Sequence, residues 1–345
     1  MISTTPAQAR STTFSCPHPD CTQCNRLNVD TIVHRAWTGQ HQHSERLRGT
    51  ICGCECSARA GTWMARSKRP AATVEQLLPC QRWGVCAEGL AAICAVALTT
   101  GQRLPRVAAQ RAETHHGQSV QDVEVPGGQW DEAQAQLRPR RGEWLPTAWA
   151  RGSWCLLGVD CGPQTQDTAA ALIAQVVARA QAGPLLLTDG WKASPAALLQ
   201  GFGMVYRPRR RGQGGRTPTP RRVAPQTWCD AQVVKVRAKE GHVVEVRRRG
   251  VFGGPRRFGQ PWRLQQRGET SQTACRERWD GTLRGLVAPL RRRTRCLSWS
   301  RIRHRSTVWL MVSLYNGVRP HKSLRQGRTV RTPAMAIGLT DPVWS

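Results

Sequence analysis

The stretch WCLLGVDCGPQTQDTAAALIAQVVARAQAGPLLLTDGWKASPAALLQGFGMVYRP, residues 154–208, decides the fold class. Its first six residues form a short apolar run typical of a strand, and DTAAALIAQVVARAQA has apolar residues three and four apart, which predicts an amphipathic helix. A second apolar run, PLLLTDGW, ends in an acid, and a predicted helix (PAALLQGF) and strand (GMVYRP) follow. Because alternating strands and helices need crossover connections, this order predicts an α/β core, a mostly parallel or mixed sheet covered by helices.

The composition changes after this core. Residues 207–222, RPRRRGQGGRTPTPRR, combine Gly, Pro and Arg, which predicts a flexible loop that either binds phosphates or is a solvated linker. The following AQVVKVRAKEGHVVEVRRRGVFGG predicts a β-hairpin whose polar face carries Lys and Arg. Two helices are then predicted, a basic one in TACRERWDGTLRGLVAP and a second in TVWLMVSLYNGVRPHKSLR that ends in a turn.

The N-terminal third contains two further segments. Residues 1–66 are rich in Cys and His and poor in apolar residues, and such a segment usually needs a bound metal to fold. We expect a small zinc-ribbon-like unit there, with a disordered basic arm as the alternative. Residues 67–120 show helical spacing interrupted near Gly84, Gly89 and residues 99–101. They predict a helix-turn-helix unit whose basic second helix lies across a major groove, or a plain helical linker.

The charge balance indicates a polyanionic partner. The chain has 51 Lys and Arg against 22 Asp and Glu, a net charge of +29 and a pI near 11.3, so double-stranded DNA is the first candidate. The opening residues lack the apolar segment of a signal peptide, and residues 90–98, the longest apolar run, fall short of the ~20 that span a bilayer. We therefore expect no membrane partner and a reducing, cytoplasmic, nucleoid-associated location, where cysteines suit zinc better than disulfides.

Three acids stand out in this basic chain. Asp131 follows Gly-Gly-Gln-Trp, Asp189 closes the run LLLT, and Glu277 lies early on the predicted basic helix. Ligands collect at strand ends in α/β sheets, so carboxylates placed there can bind a hard cation. Converging carboxylates repel one another without metal, whereas two divalent ions ~3.5–4 Å apart stabilise an in-line phosphodiester displacement. From spacing alone, helix N-caps and surface ion pairs are the simpler explanation.

Three motifs, LLLTDGW, RERWDGTLR and YNGVRPHKSLR, occur in this order. They resemble the second Asp, the Glu helix and the terminal helix of bacterial insertion-sequence DDE transposases. The closing RTPAMAIGLTDPVWS resembles the tail of the type that carries a zinc-binding head. In that family the hairpin AQVVKV and the motif GVFGG also occur between the second Asp and the Glu. The resemblance covers most of residues 16–345 and is strongest in the last third.

The resemblance implies roles for individual residues. Asp131, Asp189 and Glu277 would be the catalytic acids and would bind two Mg²⁺ or Mn²⁺ ions, with the neighbouring Glu132 as the main alternative for the first acid. The residues expected to contact DNA are basic and lie in the insertion, on or after the Glu helix, and in the terminal motif: Arg209, Arg210, Arg278, Arg284, Arg291, Arg292, Arg293, Arg319 and His321.

The resemblance also implies zinc ligands in the head. The first pair is CxxxxC, and the family's second pair is CxxC. This chain has Gly49 at the first position of the second pair and Cys52 at the second, so Cys54 or Cys24 would substitute. The ligands that we favour for a structural Zn²⁺ are Cys16, Cys21, Cys52 and Cys54.

The sequence thus predicts a transposase of four parts. These are a zinc-ribbon-like head (1–66), a helix-turn-helix unit (67–120), a ribonuclease-H-like catalytic domain (121–330) with a basic insertion and hairpin at about 207–266, and a C-terminal tail (331–345). The head and helices would recognise the terminal inverted repeats of the element. The core would cleave and transfer the strand, as a homo-oligomer on two DNA ends.

Three residues depart from the family pattern and keep two alternatives open. Trp130 precedes the first acid, Arg276 precedes Glu277, and Asp280 stands where the family has Asn. Trp and Cys, fourteen each, are abundant for so Arg-rich a chain. One alternative is therefore a decayed element copy, in which Arg codons drifted to Trp and Cys, that binds the repeats and represses without cutting. The other, suggested by charge alone, is a ribosome-associated or RNA-binding zinc-ribbon protein.

Overall fold

The computed structural model describes most of the chain between residues 16 and 343. The residues outside the description are 1–15, 17, 19, 23–30, 40–43, 61, 66, 84, 126, 139–140, 182–184, 189–190, 209–217, 227, 239–241, 254–271, 292–296, 299 and 344–345, together with some side chains inside helices and strands, among them those of residues 272–278. The chain divides into two compact units, Met1–Arg111 and Ala112–Ser345. The finer division into four parts stays a prediction.

The first unit begins with a small antiparallel sheet in the order β1-β2-β3. Its strands are β1 (Ile32–Thr38), β2 (Ser44–Gly49) and β3 (Glu55–Ser57). Among the described residues, the buried cluster beside it contains two aliphatic side chains, Ile32 and Leu47, with the thiols of Cys16 and Cys21. So small an apolar core gives little stability by itself, which is the situation in which a bound metal contributes to folding.

Three helices complete this unit, and they enclose a separate apolar cluster that includes Val74, Leu77, Leu90 and Leu104. The helices are α1 (Ala71–Arg82), α2 (Ala87–Ile93) and α3 (Leu98–Ser119), the last of which continues into the second unit. The predicted interruptions at Gly89 and residues 99–101 are wrong, because both lie inside helices. The second break falls instead just before Leu98, where Ala95 adopts a φ of 49° that ends the preceding helix. None of the described helices combines the length and apolar character needed to cross a membrane.

The second unit is built on a mixed six-stranded sheet in the order β11-β10-β7-β4-β5-β6. β7 pairs in parallel with both β4 and β10, and the remaining pairs are antiparallel. The strands are β4 (Gly127–Leu137), β5 (Arg141–Ala150), β6 (Leu156–Val159), β7 (Leu185–Thr188), β10 (Asp230–Arg237) and β11 (Val243–Phe252). The predicted α/β class and the predicted basic hairpin, β10 with β11, are confirmed.

Two helices, α4 (Gln166–Val177) and α5 (Ser194–Phe202), cover one face of this sheet. Their apolar residues pack with Trp130 and Trp228 into a core cluster, which also contains Ala169, Leu172, Ile173, Val176, Ala197 and Leu198. One predicted strand does not join the main sheet: β8 (Met204–Tyr206) pairs only with β9 (Arg221–Val223) in a separate ribbon. Its three residues are all exposed, so it has no buried face to place in the sheet interior.

The C-terminal part of the second unit is helical and then turns into a short ribbon. Its elements are α6 (Gln272–Leu286), a 3₁₀ helix (Ala288–Leu290), α7 (Arg301–Ser313), a π-helical turn (Leu314–Val318), β12 (His321–Gln326), β13 (Thr329–Arg331) and α8 (Pro333–Ala336). The predicted helix is present, but HKSLR forms a strand where the end of the helix and a turn are predicted. After the π-helical turn Arg319 is extended, and the chain continues as β12 paired with β13.

A buried amide holds the π-helical turn to strand β6. The Oδ1 atom of Asn316 accepts a hydrogen bond from Leu156 N at 3.0 Å, and its Nδ2 atom donates to Leu156 O at 3.0 Å. His116 Nε2 lies 3.1 Å from the same amide nitrogen and 2.9 Å from Leu156 O. Burial lowers the pKa of His116 to about 3, so its ring is neutral near pH 7. The amide of Asn316 thus satisfies a buried peptide group that lies 160 residues away in the chain.

Replacing Asn316 should therefore destabilise the second unit. Asn316→Leu leaves the amide of Leu156 without its side-chain acceptor and the carbonyl of Leu156 with His116 alone, and we expect a loss of about 2–4 kcal/mol in the free energy of unfolding. Urea titration followed by circular dichroism measures it. Thr329→Val, on the exposed ribbon, is the control and should change stability by less than about 0.5 kcal/mol. Equal midpoints for Asn316→Leu and wild type would contradict the role given to this amide.

Candidate functional site

Asp131 lies inside a long strand rather than at a strand end. It is the fifth residue of the 11-residue strand β4, is 6% exposed, and its Oδ1 accepts a hydrogen bond from the amide of Glu132 at 2.7 Å. The expectation that it ends a strand is therefore wrong for β4 as a whole. However, the parallel pairing of β4 with β7 stops at Gln129 and Leu187, so Asp131 lies just beyond the parallel segment.

Asp131 and Glu132 lie on opposite faces of the sheet because side chains alternate along a strand. Trp130 packs into the core beneath α4 and α5, and Glu132 shares that face. Asp131 shares the other face with Glu143, since the antiparallel register pairs Ala135 with Glu143 without a shift. Helix α7 begins on this second face, where Arg301 forms two hydrogen bonds with Glu143 at 2.7 and 2.9 Å.

The other two predicted catalytic acids lie at the limits of the description. Asp189 is outside the described residues; in the sequence it follows Thr188, the last residue of β7. Glu277 belongs to α6, whose backbone is described, while its side chain is outside the described set. Helix α6 contacts α7 and the 3₁₀ helix, and the 3₁₀ helix contacts β4. The helix that carries the third acid therefore belongs to the same packed group as the strand that carries the first.

The structure describes the side chains of some of the predicted DNA-binding residues and not those of the others. Arg284 pairs with Asp280 at 3.6 Å, Arg291 donates to Gly285 O at 3.0 Å, and Arg319 is exposed after the π-helical turn. His321 stacks on Trp154 with ring centroids 5.7 Å apart. The side chain of Arg278 and all of Arg209, Arg210, Arg292 and Arg293 lie outside the described residues. An exposed guanidinium such as that of Arg319 can contact a phosphate without losing a buried partner.

The sequence analysis missed a network of buried acids and arginines. Asp160 directly follows β6, and Arg305 of α7 contacts both Asp160, at 3.3 Å, and Glu113, at 2.7 Å. Burial raises the pKa of Asp160, and Arg305 opposes this shift. The run LLGVD shows the same pattern, an acid after an apolar strand, that drew attention to Asp189. With the pair of Arg301 and Glu143, these ion pairs join α7 to the sheet through Glu143 and Asp160 and to α3 through Glu113, so these acids have a structural role.

Asp230 is a second buried acid that the sequence analysis missed. It starts β10, is fully buried, and neither carboxylate oxygen has a hydrogen-bond partner among the described residues. Burial raises its pKa to about 7. A carboxyl group in such surroundings is most stable when protonated. The folded protein therefore binds a proton at Asp230 at pH values where the unfolded chain has released it.

Five buried tryptophans have an indole N–H without a hydrogen-bond acceptor among the described residues. They are Trp130, Trp149, Trp228, Trp279 and Trp309. Buried tryptophans normally place this donor against an acceptor. Trp279 lies two residues after Glu277, and its ring packs edge-on against Tyr315 with centroids 4.8 Å apart. At these positions the indole ring fits, but its N–H group has no hydrogen-bond acceptor among the described residues.

Three thiols in the first unit form a candidate metal centre. The sulfur atoms of Cys16, Cys21 and Cys52 all lie within 4.8 Å of one another, with Cys16 Sγ and Cys52 Sγ 3.4 Å apart. Zinc–sulfur bonds of ~2.3 Å in a tetrahedron place the sulfurs about 3.8 Å apart. Small adjustments would therefore let the three thiols bind one ion. The donor set suits zinc, because thiolates are soft ligands.

The fourth predicted zinc ligand, Cys54, is not part of this cluster. Its Sγ atom lies 4.0 Å from Glu55 O. Burial raises the pKa of the Cys16 thiol, whereas a backbone hydrogen bond from Cys54 lowers the pKa of the exposed Cys52 thiol. Cys52 is therefore more readily deprotonated for binding than Cys16, and Cys54 contributes through its backbone.

Serine substitutions should separate the cluster from Cys54. We expect Cys16→Ser and Cys21→Ser each to weaken zinc binding at least about tenfold, because each removes a thiolate ligand, and Cys54→Ser to change it less than about twofold. Competition with a chromophoric chelator measures the affinity. The affinity of the wild type should also rise from pH 6 to pH 8, because the thiols must lose protons to bind. Equal losses in all three variants would contradict a three-thiol centre.

The pH dependence of stability should reveal Asp230. Its folded pKa is raised to about 7 from an ordinary 3.8, so the stability that it removes grows as pH rises from about 4 to about 7 and stays constant above. Asp230→Asn should match wild type near pH 4 and exceed it at pH 8 by up to about 4 kcal/mol. Thermal midpoints across this range measure the difference. A difference independent of pH would show that Asp230 is ionised in the folded protein or exposed.

No protein-family model and no curated protein matches this chain. The sequence motifs and the geometry of the described residues coincide at Asp131, at the helix that carries Glu277, and at the three thiols of the head.

Proposed function

We propose that the chain is a DDE transposase whose metal site is formed by Asp131, Asp189 and Glu277. The observation that carries the proposal is the parallel register of β4 and β7, which pairs Gln129 with Leu187. In the sequence, Asp131 and Asp189 each follow their paired residue by two positions. The first two acids therefore come at matching positions after adjacent parallel segments, where α/β proteins collect polar ligands.

The strand order supports a ribonuclease-H-like core. Three antiparallel strands, β4 to β6, come first, and β7 and β10 follow parallel to β4. Helix α4 lies in the crossover between β6 and β7, and α5 lies between β7 and β10. Helix α6, with the third acid, follows the last strand of the sheet. This order agrees with the motif order by which the chain resembles DDE transposases.

The face of the sheet occupied by the C-terminal helices supports the third acid. Arg301 at the start of α7 binds Glu143, which shares a face with Asp131. Because α6 contacts α7 and the 3₁₀ helix that contacts β4, Glu277 belongs to a helix on the side of the sheet that its role requires. Glu132, on the opposite face, is disfavoured as the first acid.

The chemistry of the three side chains fits Mg²⁺ or Mn²⁺, which prefer carboxylate oxygens. Two such ions, when bound, would stabilise both oxygens of a phosphodiester displacement. The chain itself positions the acids and the DNA. The β4 backbone holds Asp131 at 6% exposure, away from bulk water. Arg284, two turns after Glu277, lies near enough in the sequence to contact the substrate phosphates.

The DNA partner follows from charge. A net charge of +29 provides the phosphate contacts that dominate the affinity for double-stranded DNA. In this proposal the zinc-binding head and the α1–α3 helices read the ends of the element, and Arg319 and His321 contact the backbone. Two ends must be processed together, so the proposal includes a homo-oligomer assembled on DNA, in the nucleoid.

A nicking assay with a matched pair of variants tests this proposal. The substrate is a supercoiled plasmid carrying the DNA that flanks the gene on both sides. We expect wild type to nick it only with Mg²⁺ or Mn²⁺, Asp131→Asn to fall below about 1% of that rate, and Glu132→Gln to keep most of it. Gel electrophoresis of the relaxed plasmid measures the rate.

Two results would contradict the proposal in different ways. Loss of nicking in Glu132→Gln but not in Asp131→Asn would mean that the first acid is Glu132, on the face of β4 opposite to the one proposed. Nicking by wild type that survives Asp189→Asn and Glu277→Gln would exclude the three-acid site altogether.

A second candidate is a decayed copy that binds the element ends without cutting them, and the tryptophans favour it. Five buried indole N–H groups without acceptors among the described residues are what substitution by Trp at positions selected for other residues would produce. In this case wild type binds the flanking DNA but does not nick it with either ion. Arg at these five positions in an intact copy of the same element would support decay, and Trp at the same positions there would remove that support.

A further inference from the structure

The metal centre of the head has a gap at Gly49. Gly49 is the last residue of β2 and is buried. A Cβ atom built on it would lie 3.1 Å from Cys52 Sγ and 3.8 Å from Cys16 Sγ. Gly49 and Cys52 have the spacing of a CxxC pair, the usual way in which one turn supplies two zinc ligands. A side chain at position 49 would therefore begin next to the sulfur ligands of the ion. Glycine has no side chain to place there.

The turn between β2 and β3 keeps this position in place. Gly49 N donates to Cys54 O at 2.9 Å, and Gly53 N donates to Gly49 O at 2.9 Å. Both hydrogen bonds involve only the backbone of Gly49. The backbone that would orient a ligand is thus present, and only the ligand is missing.

No other cysteine of the described residues closes the gap. The group within 4.8 Å contains three thiols, and Cys54 and Cys56 are not among them. Cys56 instead packs against the small apolar cluster of Ile32 and Leu47. The accessible side of the centre is that of Cys52, which is exposed, whereas Cys16 and Cys21 are buried. A small molecule from solution can therefore reach the missing corner.

We propose that the head binds its metal ion through three thiolates, and that the fourth position, open at Gly49, takes a small thiol from solution. Three thiolates leave a tetrahedral ion one ligand short, and such an ion keeps an exchangeable position. A soft donor such as a thiol is the ligand best matched to a thiolate-bound ion. The site would therefore respond to the thiol concentration around it. This inference concerns only the head and stands whether or not the chain is a transposase.

Cobalt substitution of the full chain tests the proposal, since the visible absorption of Co²⁺ reports its ligands. With one Co²⁺ per chain and a phosphine reductant present, added 2-mercaptoethanol should change the wild-type spectrum in a saturable way. Before any thiol is added, Gly49→Cys should already have the spectrum that wild type reaches at saturating 2-mercaptoethanol. Added 2-mercaptoethanol should not change it. The variant should also bind Co²⁺ at least about tenfold more tightly than wild type.

Arg48→Cys is the matched control. Position 48 is exposed and lies on the opposite face of β2 from position 49, so it adds a thiol to the same strand outside the centre. Arg48→Cys should respond to 2-mercaptoethanol as wild type does.

Three results would overturn the proposal. A wild-type spectrum that ignores the thiol and changes in Cys54→Ser or Cys24→Ser means that the chain supplies its own fourth ligand. An equal thiol response in wild type and Gly49→Cys means that the thiol does not bind at position 49. A wild-type chain that takes up no Co²⁺ means that the three thiols do not form a metal centre. In the first and third cases the wild-type measurement by itself contradicts the proposal, and the two serine variants only identify which cysteine supplies the fourth ligand.

Discussion

The parallel pairing of β4 with β7 is the constraint on which the account of this molecule depends. It sets Gln129 beside Leu187, so the acids that follow these residues by two positions in the sequence, Asp131 and Asp189, come at matching positions. A shift of one residue in this pairing would match Asp189 with Trp130 or Glu132 instead, and both of these side chains belong to the face covered by α4 and α5. The register of a single four-residue strand, Leu185–Thr188, therefore selects the candidate catalytic residue.

Interactions between distant segments then fix the rest of the second unit. Arg301 and Arg305 bind Glu143, Asp160 and Glu113, and Asn316 binds the backbone of Leu156. These two arginines are paired with acids, so part of the basic character of α7 serves the fold. Asn316 of the terminal motif is structural, while Arg319 and His321 are proposed to contact the DNA backbone.

Local pattern predicted much of the fold, because it shows in contiguous residues. Three patterns were each sufficient to predict the element that forms: the apolar run at 156–159, the helical spacing of α4 and the alternation in the β10–β11 hairpin. The isolation of β8, the strand formed by HKSLR and the burial of Asp230 depend on partners far away in the chain, which no window of sequence contains. Three of the four favoured zinc ligands are grouped, and Cys54 is not. The gap at Gly49 was visible in the sequence as a missing cysteine, but its distance from the sulfur atoms was not.

The central claim is that three acids from β4, the end of β7 and α6 share one pair of divalent ions. A crystal structure of the chain with Mn²⁺ and a DNA end, with anomalous data, tests it most directly. The account predicts two manganese peaks ~3.5–4 Å apart, with carboxylate oxygens of Asp131, Asp189 and Glu277 bound to them. Manganese bound elsewhere, or an Asp131 carboxylate directed away from both ions, would contradict it.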